Sequence, residues 1–592
     1  MSATVALAPA AIGARSEARW REAAHLAVVA LALALWVLGV RSTDVGRIDD
    51  FGLVPAFPAT FYAACALLLA GFAAGVTSRR LPPPVVLGAY VVGLVLVIHG
   101  TAPLLYDEPR YAWTYKHLAV TDLIASTGHV DRSLDIYNNW PGFFVLAGWL
   151  QRLSGVRMID VAGWAQVAFN LATVASLQFA FGGLTTDRRR VWLATALFLL
   201  GSWVGTDYYA PQALAFVLAF TFLGICLRAT TPRRVAPRLR VALDAPAERL
   251  AAAPALASGA CCWAALVVTH QLTPVLVIAA VCALVAVRRV PLWVPVAMIA
   301  VEAAWVTLAW DFLSSHFHLF DAKGVTTPDP HAGGRATPLA GVGWAALAGR
   351  VVTATLVMLA AAGVLSAVRR RQVPGSALTL ILAPCLVVPL QAYGGEGVFR
   401  AYVFALPWLA LLAAAFLLDG QTGARRTLRL GATLAILAAG FLPAYFGLEQ
   451  ANRITGDDVA TSRWYEAHAG PGALAVVAAP NFPSPLTRRY VALRTMSGDG
   501  MTSLSDYPQL TRLRDGGAGA ASIARFAAAR RGGPLYVVLS GSQRRYAQLY
   551  GLFHPGFLSG LDRALARAPT FRRVYGTGQS SVYEYVGSRR SS

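Results

Sequence analysis

The hexapeptide Tyr106-Asp107-Glu108-Pro109-Arg110-Tyr111 sets two adjacent carboxylates among aromatic rings, inside a chain that is otherwise strongly apolar. Such a pair has two uses. One carboxylate can take the proton of a weakly acidic hydroxyl in a water-poor site, as a general base. Alternatively, Asp107 or Glu108 caps a helix whose first turn holds Pro109, and the neighbouring rings sit at a membrane interface. Both readings stand at this point. Other polar groups recur at the ends of apolar runs: Lys116 on the helix after the acidic pair, Asp135, Asp207-Tyr208-Tyr209, His270-Gln271 and Arg400. A lone histidine in such a place more often holds structure together by hydrogen bonds than binds a ligand, and an arginine there also serves as an interfacial anchor. Glu302 lies within an apolar run, where an ionisable group is costly and marks function by default. His316, His318, Asp321, Asp329 and His331 form a loose group that matches no tight metal template. No metal ligands are assigned, although a divalent cation stays open as a cofactor.

The elements that must position these groups are membrane spans. Of 592 residues, 56% are hydrophobic and only 14% charged, against roughly 45–50% and about 25% in soluble domains. Apolar runs long enough for a hydrocarbon layer of about 30 Å fall at 23–41, 59–77, 84–103, 159–182, 191–206, 211–228, 251–269, 273–288, 291–310, 343–367, 376–391, 402–419 and 428–447. With the N-terminus inside, the Arg clusters at 79–80, 188–190, 228–249, 288–289, 369–371 and 425–426 all fall on one side, the positive-inside pattern. The aromatic and acidic segments then lie outside, including 104–158, where the apolar 141–153 is too short to span and reads as a juxtamembrane or re-entrant helix. Residues 1–22 read as a cytoplasmic segment before a retained signal anchor.

From about residue 448 the composition becomes that of a soluble domain. Strand-like runs at 473–478, 535–539 and 581–586 alternate with helical patterns at 520–529 and 558–568, which predicts a small extracytoplasmic α/β domain. It carries no phosphate-loop or dinucleotide fingerprint. The formal charge of +21 sits in short loop clusters rather than on one face, so nucleic acid is not an expected partner. All six cysteines lie in apolar runs without metal-ligand spacing, and neither a disulfide framework nor a zinc site is expected.

An acidic pair opening the first large outer loop, an amphipathic helix, an aromatic-Pro segment with a short helix, and then a span together resemble the GT-C superfamily of membrane glycosyltransferases. Phe399-Arg400-Ala401-Tyr402 running into Leu406-Pro407 is similar to a segment before a late span in those enzymes. The resemblance implies a GT-C-like α-helical polytopic module over 23–447. It implies transfer of a sugar from a polyprenyl-phosphate donor to an acceptor hydroxyl on a glycan, lipid or protein. Asp107 would be the general base with Glu108 beside it, Arg400 and Lys116 would hold the donor phosphate, and Tyr111, Asp135, Asp207, Tyr208, His270 and Gln271 would line the substrate pocket. Two features depart from the pattern: two extra spans precede the acidic pair, and Asn138-Asn139-Trp140-Pro141 stands where relatives often carry an acidic residue. A phosphate leaving group needs positive charge rather than a general acid, so one carboxylate and one or more cations suffice. Competing readings are a secondary transporter, disfavoured by the lack of an internal repeat, and a lipid-linked glycan polymerase or ligase.

Overall fold

The computed structural model describes residues 9–230, 249–316, 338–372, 374–387, 397–419, 423–493, 500–530 and 532–587. The chain is an α-helical polytopic membrane protein with a small α/β unit near its C-terminus. Each of the thirteen apolar runs falls on a helix. Among the described residues eight helices are long and apolar enough to cross a bilayer, or nine if Trp293–Leu308 and Trp310–His316, bent by 69°, count as one. Pro84–His99, Thr273–Ala286 and Gly375–Val387 are apolar but shorter, and Arg188–Gly201 has 14 residues. Proline at a first helical turn, where no intrahelical N–H partner is lost, opens several of them, including Pro84–His99 and Pro211–Ala229. The centre of the bundle is Gly397–Leu418, buried along nearly its whole length and packed on Arg188–Gly201, Ala340–Arg369 and Gly375–Val387.

Between the third and fourth apolar runs the chain forms a helical hairpin outside the spans. Ala112–Thr127 ends at the left-handed Gly128, and Gly142–Ser154 ends at the left-handed Gly155, glycine being the residue that adopts this conformation without a Cβ penalty. Asp135 caps the one-turn helix Ile136–Asn139 by accepting from the Asn138 amide. In Gly142–Ser154 the Phe143, Phe144, Ala147 and Gly148 face packs on the hairpin partner, while Leu146, Trp149, Leu150 and Leu153 are exposed. That apolar stripe at helical spacing fits the expected juxtamembrane helix.

After Ala424–Phe446 come the one-turn Glu449–Asn452 and then Gly456–His468, whose start is fixed by a reciprocal capping box between Thr455 and Asp458. The strands are β1 (Leu474–Val477), β2 (Met501–Ser503), β3 (Leu535–Leu539), β4 (Phe571–Gly576) and β5 (Ser581–Tyr585), in the order β2-β1-β3-β5-β4. β1 is parallel to β2 and β3, while β5 runs antiparallel to β3 and β4. β1 and β3 are wholly buried, which explains their unbroken apolar runs.

The segment before the second span is fastened to the last one: the Leu53 amide donates to the Phe446 carbonyl at 3.1 Å. Gly52 makes this approach possible, with φ +70° and only 2.0 Å between an added Cβ and the Phe446 carbonyl oxygen. Gly52→Ala is therefore expected to destabilise the fold by at least about 1–2 kcal/mol, read as a lower unfolding temperature of the detergent-solubilised protein.

Candidate functional site

The loop 106–111 is held by buried polar contacts. The Arg110 guanidinium, 5% exposed, pairs with the fully buried Glu449. It also donates to Gln166 at 2.7 Å and to the Tyr445 hydroxyl at 2.8 Å. Tyr106 donates its hydroxyl proton to the other Glu449 oxygen at 2.9 Å. The Tyr111 amide donates to the Asn452 carbonyl, and Tyr111 itself has φ +67°, a region that non-glycine residues rarely occupy. The network continues inward. Gln166 and Asn170 both donate to Asp207, and His99 lies 3.2 Å from it.

Pinned at both ends, the loop presents Asp107, exposed, and Glu108, half-buried, to an open cleft of about 400 Å³. Trp164 and Gln166 of Met158–Phe181 line it, as do Tyr111 and Tyr208, Arg157 and Asp160, and Arg463 from Gly456–His468. The cleft thus spans the membrane helices and the segment leading into the α/β unit. Burial raises the Glu108 pKa; the Arg463 charge opposes this and the Asp107 charge adds to it. Arg157 is held by Asp160 in a two-pronged contact at 2.8 Å.

Of the residues singled out in the sequence, Asp107, Glu108, Tyr111 and Tyr208 line this cleft. Lys116 does not. Its ammonium is buried 3.2 Å from Asp135 and 3.9 Å over the Tyr490 ring, and Tyr490 also donates to Asp135. Burial pushes the Asp135 carboxyl up, but Lys116 and the hydrogen bonds from Asn138 outweigh it and hold the group below its ordinary range. Both charges are occupied in fastening the hairpin to the α/β unit, a pairing that their 19-residue separation in sequence does not announce. Asp207 sits behind the cleft as the acceptor for Gln166 and Asn170.

Arg400, His270 and Gln271 also lie outside the cleft lining, but Tyr208 links the two regions. Its ring packs against Tyr111 at 5.2 Å and stacks on His117 at 5.8 Å. His117 and the buried Arg400 both act electrostatically on His270. Burial pushes the His117 pKa down to about 4. The Tyr209 carbonyl 2.8 Å from its Nδ1 can only accept, so the proton is on Nδ1 and Nε2 is an acceptor. His270 has the opposite tautomer, because its Nδ1 accepts from the Leu272 and Thr273 amides. Its Nε2 is the donor.

Glu302 is buried and faces the bundle, and neither carboxylate oxygen has a partner among the described residues. Among the described residues no three His, Cys, Asp or Glu side chains are placed to hold a metal; His318, Asp321, Asp329 and His331 lie outside them. Arg157, Arg463 and Trp164 were not legible as site residues, since they reach the cleft from the start of Met158–Phe181 and from Gly456–His468, far from the acidic pair in sequence, and none stands in a distinctive motif.

By sequence, no family model and no curated protein matches the chain. By structure it is similar to ArnT from Cupriavidus metallidurans bound to undecaprenyl phosphate, with 14% identity and a TM-score of 0.47 over 86% of this chain and 99% of that one. It is similar to the oligosaccharyltransferase of Archaeoglobus fulgidus tethered with an acceptor peptide, with 11% identity and a TM-score of 0.44 over 84% and 72%. It is also similar to the mycobacterial arabinofuranosyltransferase AftD, with 16% identity and a TM-score of 0.40 over 80% and 41%. All three are GT-C glycosyltransferases.

Removing one member of a buried ion pair strands the other. Glu449→Ala is expected to cost about 3–5 kcal/mol. Arg110→Met combined with Glu449→Leu should cost clearly less than the two single changes summed, as measured by thermal unfolding in a double-mutant cycle.

Proposed function

We propose that this protein is a membrane glycosyltransferase that moves a sugar from a polyprenyl-phosphate donor to an acceptor hydroxyl. The observation that carries the reading is the exposed Asp107, beside Glu108, on a rigidly held loop over an open cleft where the bundle meets the α/β unit. The acceptor hydroxyl is a very weak acid, and Asp107 takes its proton as the oxygen attacks the anomeric carbon. The bond from that carbon to the phosphate oxygen breaks, and polyprenyl phosphate leaves as an anion. It needs no proton from the protein, only positive charge to receive it.

Arg400, which acts electrostatically on His270, is the cation assigned to the donor side, with His270, through its Nε2 proton, and the adjoining Gln271. Arg463 supplies positive charge to the cleft, where Arg157 is paired with Asp160. Lys116, neutralised by Asp135 under Tyr490, is assigned to structure. Glu108 stands beside the base, and Tyr111 and Tyr208 wall the cleft. The positive-inside pattern of the Arg clusters supports placing residues 1–22 in the cytoplasm. The cleft and residues 448–592 then lie on the outer face, on the far side of the module 23–447.

Protein in lipid nanodiscs, supplied with polyprenyl-phosphate-linked sugars and a candidate acceptor, is expected to release polyprenyl phosphate. Asp107→Asn should lower that rate by about 10²–10⁴-fold, the usual contribution of a general base, while the unfolding temperature stays unchanged. Transfer at the wild-type rate by a folded Asp107→Asn protein would remove Asp107 from the role.

A further inference from the structure

The cleft also bears on what the acceptor is. Its walls combine a half-exposed indole, Trp164, with the ring of Tyr208, the three carboxylates Asp107, Glu108 and Asp160, and the Arg463 guanidinium. A sugar ring has an apolar face of C–H groups and an equatorial rim of hydroxyls. The face packs on the π surface of an aromatic ring. The hydroxyls donate to carboxylates and accept from guanidinium groups, which together fix orientation. A peptide bound by strand addition needs an exposed strand edge to pair with its amides, and the cleft is lined by helices, loop 106–111 and the loop that carries Tyr208, with no strand among its described lining residues.

Next to Trp164 the wall is left bare. Gly163 lines the same cleft, and a Cβ built on it meets nothing within 4 Å. Glycine inside a helix is less stable than alanine by about 1 kcal/mol, so the open space at this position comes at a cost in helix propensity. A bare wall one residue from an exposed indole leaves room for a ring to lie flat.

We infer that the cleft is the acceptor subsite and that the acceptor is a saccharide, its ring stacked on Trp164 over Gly163 with its hydroxyls turned towards Asp107, Glu108 and Arg463. This rests on the transferase reading above for the word acceptor, but the binding itself does not.

The test uses the full-length protein in nanodiscs and saturation-transfer NMR, with a panel of methyl glycosides of mannose, glucose and arabinose and one Ser/Thr-containing peptide. At least one glycoside is expected to bind and the peptide not to. Trp164→Ala should weaken that binding by tenfold or more, and Trp164→Phe, which keeps a π face, should retain most of it. Gly163→Leu suits the helix and fills the open wall, so it should abolish binding without lowering the unfolding temperature. Binding of the peptide alone, or glycoside binding unchanged in both Trp164→Ala and Gly163→Leu, would overturn the inference and leave Trp164 as an anchor in the lipid headgroups. Glycoside binding that needs Trp164 and an open Gly163, in a protein that transfers no sugar from any polyprenyl-phosphate donor, would uphold the saccharide site and overturn the transferase reading.

Discussion

The site depends on one buried ion pair, between Arg110 in the acidic loop and Glu449 just after the last membrane helix, 339 residues away. Taking two charges out of water costs several kcal/mol for each ion, and the pair is tolerated only when its geometry is good and the remaining donors and acceptors are met. Here Gln166 and Tyr445 accept from Arg110, and Tyr106 donates to Glu449. The pair therefore demands that three separate stretches of chain arrive together: 106–110, the helix carrying Gln166, and 445–449. Such a demand adds little net stability, but it penalises every arrangement in which the loop sits elsewhere.

Its consequence for chemistry is positional. Asp107 stands directly after Tyr106, whose hydroxyl is tied to Glu449, and three residues before Arg110, where the Tyr111 amide on Asn452 fixes the far end of the turn. Tyr111 accepts φ +67°, a conformation costing of order 1–3 kcal/mol that persists only when surroundings over-determine it. The surroundings here are the Asn452 carbonyl, the Tyr208 ring and the Arg110 guanidinium over the Tyr111 ring at 5.1 Å. A loop tied on both sides of its turn leaves its acidic residues out over the cleft. General-base catalysis needs a carboxylate held in place before substrate arrives.

The architecture was legible in the sequence because hydrophobic runs are local. All thirteen coincide with helices, and the expected strands at 473–478, 535–539 and 581–586 match β1, β3 and β5. β2 and β4 were not legible. β2 has only three residues, and β4 carries Arg572 and Arg573 on an edge of the sheet, where charge is tolerated. At the site, Asp107, Glu108, Tyr111 and Tyr208 could be read because each stands in a short polar patch between apolar runs. Arg463 and Trp164 could not, since an arginine in an Arg-rich soluble segment and a tryptophan near a span end each have an ordinary explanation. Lys116 and Asp135 looked like separate candidates because nothing local shows that they neutralise one another.

Composition changes near residue 448, because hydropathy reports only where the lipid-facing surface stops. The polar network runs straight through that point, from Tyr445 to Glu449 and Asn452. A chain cut at 447 would keep every span yet leave the Arg110 charge buried without its carboxylate and the Tyr111 amide without Asn452. The hairpin would also lose Tyr490, which covers Lys116, and the Arg488 amide that donates to Asp122. Loop 106–111 is thus held from the bundle side and from the side of the α/β unit at once. The physical unit that presents Asp107 includes both, and the Arg110–Glu449 pair joins them across the change in composition.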